Sequence, residues 1–393
     1  MTPLEDVTLE ADRPTAKGAK PPLMRAARLH AMGEPLRVDL VPRPPLRPTD
    51  VVVQVKACGM VPNLKNILDN FGGRSMVSLP HFPAIFGLDA AGIVAEKGEL
   101  VHGVEVGDRV YVNPARYCGA CRRCRMGNER LCEYSTLNGY FGTGPKALQT
   151  FEDYPYGGYA EYMNAPQYSL VKIPDNLSFE MAARWGYLGT SYAALRRGEV
   201  GTSTTVFING ISGTLGLGAA LFALALGAPK VLGVGRNAEL LAKVKAIDPE
   251  RIHVRTVEGG EPVTAWVRGL TDGEGADVVI DALPSLTSPE AFLIGLEALA
   301  VAGRHVNVGG VMDNVPILVA GLMIRSQAMI GSYWFSTAQG QEMADIAEAG
   351  GVNFDVFDHR VFALEDVNSA IVAMEARSGG FSNFVISPDV KPA

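Results

Sequence analysis

The amino-acid sequence predicts an α/β protein in which a doubly wound parallel sheet is joined to a mainly β unit that carries a metal-binding lobe. The parallel sheet is indicated by strand-like runs that alternate with helical patterns from about residue 180 onward. The mainly β unit is indicated by short β-branched runs, separated by Gly and Pro, between residues 23 and 180. A chain of 393 residues is long enough for two such cores.

The predicted strands fall into two groups, one in each half of the chain. A helix over 179–197 separates the groups, and a helix over 337–349 follows the second group. The strands are VVVQVKACG (51–59), AAGIVAEKG (90–98) and DRVYVNP (108–114), then TTVFING (204–210), KVLGVG (230–235), DVVIDAL (277–283), HVNVGG (305–310), MIGSYWF (329–335) and a closing NFVISP.

Four of the five cysteines lie in one short run with the spacing C-x2-C-x2-C-x7-C. Four thiolates this close can close a tetrahedral shell around Zn²⁺ with no position left for water, which is typical of a structural site. A disulfide pair or four ordinary buried thiols are the alternatives. Because residues 1–22 contain no apolar stretch, we expect no signal peptide, a cytoplasmic location and few disulfides. The predicted zinc ligands are Cys118, Cys121, Cys124 and Cys132.

The composition limits the partners of the chain. A net charge of −7 argues against a nucleic-acid surface, which needs a basic patch. The most apolar stretch, 214–228, is too short to cross a membrane and predicts a buried helix. We therefore expect a small-molecule substrate and further copies of the chain, as a homodimer or homotetramer, with no nucleic acid and no membrane.

A glycine-rich turn follows the first strand of the predicted parallel sheet. It departs from G-x-G-x-x-G because Ser212 takes the place of the middle glycine. Glycines allow a tight turn and bring backbone N–H groups close to a pyrophosphate at a helix N-terminus. Between a clear strand and an apolar helix over 214–227, this Rossmann-type pattern predicts a dinucleotide site. The expected contacts are Gly210, Ser212, Gly213, Thr214, Leu215 and Gly216, with Gly309 after a later strand.

The second strand of this sheet bears on the choice of cofactor. An NAD site usually has an Asp or Glu about 20 residues after the glycine turn, where it binds the ribose 2′-OH. Here the strand ends in Gly235, followed by Arg236 and Asn237. Arg236 could bind a 2′-phosphate bidentately, with Lys243 as a second cation. NADP(H) is therefore favoured over NAD(H), and a solvent-facing arginine at a helix start is the alternative.

Together these motifs resemble the medium-chain dehydrogenase/reductase superfamily, which includes zinc alcohol dehydrogenases and zinc-free quinone reductases. The resemblance extends from residue 23 to about 387 and includes the cysteine lobe, GDRV, PDNLSFEMAA, NGISGTLG and GADVVIDAL. It implies a GroES-like catalytic domain built from both chain ends, with the nucleotide domain inserted and the active site between them. The implied boundaries are 1–22 for a flexible extension, 23–183 for the GroES-like domain with its lobe at 114–135, 184–336 for the Rossmann domain and 337–393 for the return.

The resemblance also implies where a catalytic zinc would lie, and the sequence departs from the family there. Zinc alcohol dehydrogenases hold this ion with a Cys, a His and a further Cys or acidic residue. The first ligand matches Cys58, but the second position reads Leu88 and the third Gly186. Neither residue can donate to a metal. We therefore expect the catalytic zinc to be lost, as in quinone and enoyl reductases, which often carry an acid at the position of Asp89.

The proton relay of the zinc enzymes is altered as well. Its hydroxyl residue, acidic residue and histidine correspond to Met60, Val61 and Asn63. The best candidate for a proton donor is Tyr187, with Asn63 as a hydrogen-bond donor; an aromatic wall residue is the alternative for Tyr187. The family resemblance implies that Thr190 contacts the nicotinamide side.

The remaining residues favour a particular chemistry. Met60, Leu88 and Trp185 would make the vacated metal pocket apolar, which suits a hydrophobic substrate. Without a Lewis acid, alcohol oxidation loses its main electrostatic support, whereas conjugate reduction needs only hydrogen-bond donors and a proton source. We expect NADPH-dependent hydride transfer to an activated double bond of an enone, quinone or iminium. An alcohol dehydrogenase or carbonyl reductase of the zinc-binding family and a non-catalytic NADPH-binding protein are the alternatives.

Overall fold

The computed structural model describes residues 21–70, 77–285 and 287–392. The predicted extension, 1–22, therefore lies almost wholly outside the described residues. Two large sheets and two small three-stranded sheets make up the described β structure. None of the described helices combines the length and the apolar character needed to cross a membrane.

One large sheet contains strands from both ends of the chain. Its strand order is β11-β6-β5-β3-β19-β18, and β10 also pairs with β3. The C-terminal strand β19 runs antiparallel to β3 and sets Ile386 opposite Cys58. The elements of this half are β1 (Leu23–Leu29), β2 (Arg37–Pro42), β3 (Asp50–Gly59), α1 (Leu64–Asn70), β4 (Ala84–Ile85), β5 (Asp89–Lys97), β6 (Arg109–Val112), β7 (Ala115–Arg116), α2 (Arg122–Arg125), β8 (Thr136–Leu137), β9 (Phe141–Gly142), α3 (Ala147–Asp153), β10 (Tyr162–Pro166), β11 (Leu170–Lys172), α4 (Phe179–Ala182), β18 (Asp358–Ala363), α12 (Val367–Glu375) and β19 (Ser382–Ser387).

The other large sheet has six parallel strands in the order β14-β13-β12-β15-β16-β17. Numbered within the sheet, this is the order 3-2-1-4-5-6 of a doubly wound dinucleotide-binding fold, which confirms the predicted fold class. The order reverses between β12 and β15, so a crevice opens beyond their carboxyl ends. The elements are α5 (Trp185–Arg197), β12 (Thr205–Asn209), α6 (Thr214–Ala225), β13 (Lys230–Gly235), α7 (Ala238–Lys245), β14 (Ile252–Thr256), α8 (Val263–Gly269), β15 (Ala276–Asp281), α9 (Pro289–Glu297), β16 (Leu299–Asn307), α10 (Val319–Ile324), β17 (Ala328–Gly331) and α11 (Thr337–Glu348).

The helix predicted over 179–197 is divided in two, and the division matters for the site. Helix α4 begins at the Ser178 cap, whose hydroxyl accepts from the Met181 N–H, and it ends at Ala182. A new helix, α5, starts at Trp185. The first turn of a helix has backbone N–H groups without partners inside the helix. The break therefore leaves the Gly186 N–H available as a donor, whereas in an unbroken helix this group would bond to a backbone carbonyl.

The strand predicted over 329–335 is shorter than expected, because β17 ends at Gly331. The next residues leave the sheet, and Trp334 has a φ of +57°, a left-handed conformation that is unusual for a bulky residue. Trp334 is nevertheless buried. The residues of 332–335 thus form a connection to α11 that borders the cysteine lobe.

Candidate functional site

The glycine-rich turn has the geometry of a dinucleotide site. Gly210 has a φ of +89°, which favours glycine. A Cβ on Gly216 would lie 2.1 Å from the carbonyl oxygen of Gly210, so the turn and the first turn of α6 can pack this closely only without a side chain there. Gly213 caps α6 in an extended conformation. The free N–H groups at the start of this 12-residue helix point to a site for a diphosphate.

The residues at and after the end of β13 differ in their exposure to solvent. Arg236 and Lys243 are exposed, whereas Gly235 is buried, and a Cβ on Gly235 would approach the Ser212 hydroxyl to 2.9 Å. Asn237 uses its side-chain oxygen to cap α7, accepting from the Leu240 N–H at 3.0 Å. Asn237 therefore has a structural role as a helix cap, and its expected contact with the cofactor stays a prediction.

Gly309, which is also expected at the cofactor, makes hydrogen bonds within the protein. Its N–H donates to the Asp281 carbonyl at 2.8 Å and to the Asn307 side chain at 3.1 Å. A Cβ on Gly309 would lie 2.4 Å from the Leu283 carbonyl oxygen. The glycine therefore allows close packing of two loops at the carboxyl edge of the sheet, and its N–H is already bonded within the protein.

The cysteine lobe brings its four thiols together. The sulfur atoms lie within 4.8 Å of one another, and Cys121–Cys124, Cys118–Cys132 and Cys121–Cys132 are separated by 3.6, 3.6 and 3.8 Å. Tetrahedral Zn–S bonds of about 2.3 Å give sulfur separations of about 3.8 Å. The N–H groups of Cys118 and Tyr134 both donate to the Cys132 sulfur at 3.3 Å. These residues fit a structural zinc ion, which would cross-link the ends of the lobe.

The second cysteine site is different. Cys58 is fully buried, and burial, followed by the neighbouring Asp89, raises the pKa of its thiol well above the ordinary value. Leu88 is buried and offers no donor atom. A Cβ on Gly186 would lie only 2.2 Å from Asp89 Oδ1. Within the described part of the chain, only the cysteine lobe gathers three or more metal donors, so the residues around Cys58 do not fit a three-ligand catalytic zinc.

The carboxyl of Asp89 occupies the space beside Gly186 that a third ligand would need. It is 1% exposed and accepts from the Tyr111 hydroxyl at 2.7 Å. It also accepts from the Gly186 N–H at the start of α5. Burial raises the pKa of Asp89 to about 7, although both hydrogen bonds oppose the rise. The carboxyl can therefore hold or release a proton near neutral pH.

The predicted catalytic residues lie around this carboxyl. Tyr187 is half-buried, and burial, followed by Tyr140 and Asp89, raises the pKa of its phenol well above the ordinary value. Asn63 accepts a hydrogen bond from Asn66 at 2.7 Å and itself bonds to the buried Tyr140 hydroxyl. Thr190 donates its hydroxyl to the Gly186 carbonyl at 2.8 Å, which leaves its oxygen available as an acceptor.

Tyr187 and Asp89 line a cleft of about 310 Å³, including its solvent-filled mouth, which we call the inner chamber. Met60 lines it as predicted, whereas the Trp185 indole turns towards α11 and donates to the Gly340 carbonyl at 3.1 Å. Arg184 and Arg377 also line the chamber. The wall is therefore more polar than the sequence predicted.

Arg184 has a role that sequence reasoning missed. Its guanidinium donates to the carbonyls of Gly380 and Ser382, and burial lowers its pKa to about 10. Because the Gly380 N–H in turn donates to the Ser212 carbonyl at 2.9 Å, this arginine supports the segment that packs on the glycine turn. The only available signal was a lone cation within the apolar run around 181–188. Tyr111 and Tyr140 gave no signal, because their partners are distant in sequence.

Comparisons with known proteins agree with this arrangement. Residues 47–175 match the family model "Alcohol dehydrogenase GroES-like domain", and residues 214–349 match "Zinc-binding dehydrogenase". A protein of Sulfurisphaera tokodaii named NAD-dependent alcohol dehydrogenase is 30% identical, with 90% of this chain and 96% of that protein covered. A Geobacillus stearothermophilus alcohol dehydrogenase is 31% identical, with 89% and 96% covered.

Solved structures extend the comparison to three dimensions. The crystal structure of AibC is 28% identical and superposes with a TM-score of 0.79, covering 94% of this chain and 96% of that chain. The likeness therefore extends over both large sheets. The parallel sheet, the glycine turn and the two matching family models show that the chain belongs to the zinc-binding dehydrogenases of the medium-chain dehydrogenase/reductase superfamily, and that it is an NAD(P)-dependent oxidoreductase.

Proposed function

We propose that this enzyme reduces an activated, conjugated carbon–carbon double bond with NADPH and without a catalytic zinc. The observation that carries the proposal is the Asp89 carboxyl beside Gly186, where a Cβ would lie 2.2 Å from the carboxylate oxygen. A site with Cys58 and Asp89 as its donors has one ligand fewer than a catalytic zinc uses. Plain alcohol chemistry would lack its Lewis acid there.

The residues of the inner chamber suit conjugate reduction. NADPH supplies the hydride, which goes to the β-carbon, and the electron pair of the double bond becomes an enolate. A phenol is protonated near neutral pH, and burial raises the pKa of Tyr187 further, so Tyr187 can donate a hydrogen bond to the enolate or a proton to the α-carbon. Arg184 and Arg377 add positive charge to the same wall, which favours a developing anion.

The proposed preference for NADPH rests on Arg236. Its exposed guanidinium follows β13 at the place where an NAD site usually carries a carboxylate. Replacement in the Arg236→Ala variant should raise the KM for NADPH about tenfold and leave the KM for NADH within about twofold, because only the 2′-phosphate contact is lost. Equal KM values for the two cofactors in the unaltered enzyme would contradict this preference.

An alcohol dehydrogenase is the second candidate, and the names of the relatives favour it. It would require a metal held by Cys58 and Asp89 with a donor from the substrate. Zinc analysis separates the two: conjugate reduction without a catalytic metal predicts about one zinc per chain, and the alternative predicts about two. Two zinc ions per chain would overturn the main proposal.

Turnover provides the second test. Enones and quinones should be reduced with NADPH, and the Tyr187→Phe variant should lower kcat by about 100-fold, the usual contribution of a general acid. Tyr162→Phe is a matched control, since Tyr162 lies on β10 with its ring against Arg43. Oxidation of simple alcohols at a higher kcat/KM than enone reduction would count against the proposal.

We also propose that the chain forms a homodimer through its parallel sheet. Strand β17 is an edge strand, and the neighbouring α10 exposes large apolar residues, at 72%, 73% and 77% for Val319, Met323 and Ile324. A second copy could pair its own β17 edge and cover these side chains. Light scattering should show a dimer or a larger even-numbered oligomer for the unaltered chain and a smaller species for Ile324→Glu. A monomer of the unaltered chain would refute the proposed interface.

A further inference from the structure

A second chamber lies between the cysteine lobe and the 332–335 connection. It has a volume of about 250 Å³ with its open mouth, and we call it the outer chamber. Its walls include two arginines, two hydroxyl residues from the start of β8 and two aromatic residues of the connection. These six are Arg116, Arg130, Ser135, Thr136, Tyr333 and Trp334.

The two arginines have few hydrogen-bond partners and no close carboxylate among the described residues. Arg116 is 1% exposed, and its Nη1 donates to the Asn113 carbonyl at 2.6 Å, but its Nε and Nη2 have no partner. Arg130 donates from Nη1 to the Trp334 carbonyl at 2.9 Å. Among the described residues, no carboxylate forms an ion pair within 4.0 Å of either guanidinium. Arg116 is thus a buried charge whose counter-charge, Asp50, lies beyond ion-pair distance, so an added anion would stabilise it.

The acidic groups nearby only partly offset these charges. Glu129 lines the outer chamber, and Asp50 attracts Arg116 from beyond ion-pair distance. Burial lowers the pKa of both arginines, yet guanidinium groups stay charged near neutral pH. Thr136 adds a buried hydroxyl without a partner. The lining of the chamber therefore carries two arginines against one carboxylate, together with an unused hydroxyl, and this combination can bind a carboxylate or a phosphate.

Electrostatic effects link the two chambers through Tyr140, which lies within the range of such effects from Tyr187 and from Tyr333. Tyr140 bonds to Asn63, and Tyr333 adds to the effect of burial in raising the pKa of Tyr140. The wall beyond Tyr333 is held in place on both sides, because the Trp334 indole donates to the Asn113 side chain at 3.0 Å while the Trp334 carbonyl accepts from Arg130. An extended molecule with its reactive end at Tyr187 could place its other end among the arginines.

We propose that the outer chamber binds an anionic group, a carboxylate or a phosphate, at the far end of the substrate. That the reactive end is an activated double bond rests on the proposed function; the anion site does not. The sequence analysis did not identify Arg116 and Arg130 as substrate-binding residues, because both come from the cysteine lobe. Tertiary packing brings them to the substrate.

Binding of simple anions tests the site directly. The zinc-containing full chain, saturated with its oxidised cofactor so that the glycine turn is occupied, is titrated calorimetrically with inorganic phosphate and, separately, with glutarate. We expect at least one anion to bind, with affinity at least tenfold weaker in Arg130→Gln and about threefold weaker in Thr136→Val. Arg130→Lys should recover part of the affinity, because it keeps the charge. Arg125→Ala, an exposed arginine of the same lobe, is the matched control and should bind as the unaltered chain does.

The two anions separate the two sources of the charge, since phosphate binding alone points to a phosphorylated substrate and glutarate binding alone to a carboxylate. No binding of either anion by the unaltered chain, or equal binding by all variants, would overturn the site.

Kinetics then connects the site to turnover. Enones of equal length that end in a carboxylate or a neutral carboxamide are compared with NADPH. We expect the carboxylate to have a KM at least tenfold lower, with similar kcat, and this difference to disappear in Arg130→Gln. Reduction of both at equal KM would overturn the role in substrate binding. If neither enone is reduced, the proposed reaction fails, and the anion titration still decides the site.

Discussion

The cysteine lobe and the Cys58 pocket are the two places where the family resemblance implies a zinc site, and they differ in the donor atoms that they gather. In the lobe, four thiols lie within 4.8 Å of one another. At Cys58, the neighbouring ligand positions are Leu88 and Gly186, and the Asp89 carboxyl fills the space beside them. The lobe depends on one short segment, whereas the pocket depends on three distant ones. A metal site built from distant segments can lose its ligands one at a time without a change in the surrounding fold.

The largest expected effect is on zinc content, which should differ between substitutions of Cys132 and of Cys58. Cys132→Ser should reduce bound zinc from about one ion to near zero and unfold the lobe, because a structural zinc contributes roughly 10 kcal/mol to the order of its ligands. Cys58→Ser should keep the zinc. Zinc content and thermal melting of the two variants check this. Loss of zinc from Cys58→Ser would mean that the pocket still binds metal.

The next effect concerns pH and Asp89. Its pKa is about 7 in the folded protein against 3.8 in a free side chain, so the folded state binds the proton more tightly. Protonation therefore favours folding at low pH, and the free energy of unfolding should fall by up to about 4 kcal/mol as pH rises from about 4 to 7.

Asp89→Asn should remove that slope, measured by urea unfolding across this pH range. Part of the pH dependence should remain, because burial also raises the pKa of Asp281 to about 7. Asp313→Asn, at an exposed position, is the control. An unchanged slope in Asp89→Asn would show that the carboxyl is ionised throughout.

A substitution at Gly186 tests whether a further metal ligand can be added beside Cys58 and Asp89. Gly186→Cys places a Cβ 2.2 Å from Asp89 Oδ1, so the carboxyl must move and we expect destabilisation of about 1–3 kcal/mol with no second zinc. Gly269→Ala, whose Cβ would meet nothing within 4 Å, should be close to neutral. Urea unfolding and zinc analysis test both. A stable variant with two zinc ions would show that one residue had closed the site.

The smallest effect is expected on the surface of the lobe. Arg125→Ala removes one exposed charge near the thiolates and should change the free energy of unfolding by less than about 0.5 kcal/mol, with zinc retained. Thermal melting at low and high salt checks this. A large loss of zinc would mean that the lobe depends on its arginines as well as on its cysteines.

Different parts of the molecule were predictable to different degrees. The strands of the parallel sheet and the helix after the glycine turn are clear from periodicity, and β12, α6 and β13 begin and end within a few residues of expectation. The break at 183–184 was not predicted, because both pieces share one helical pattern. The break supplies the Gly186 N–H to Asp89, so the main error in secondary structure falls at the candidate site.

The amino-acid sequence by itself predicted the cysteine lobe and the nucleotide turn, and it placed Leu88 and Gly186, which have no side-chain donor, where the family resemblance implies zinc ligands. These features depend on residues that are close in the chain or on the absence of a donor atom, which no packing can restore. Only the tertiary structure decided that Asp89 fills the space beside Gly186, that Arg184 supports the glycine turn and that Arg116 and Arg130 border one chamber. The positions of these charged side chains depend on contacts between distant segments, and burial then determines their protonation and their need for partners.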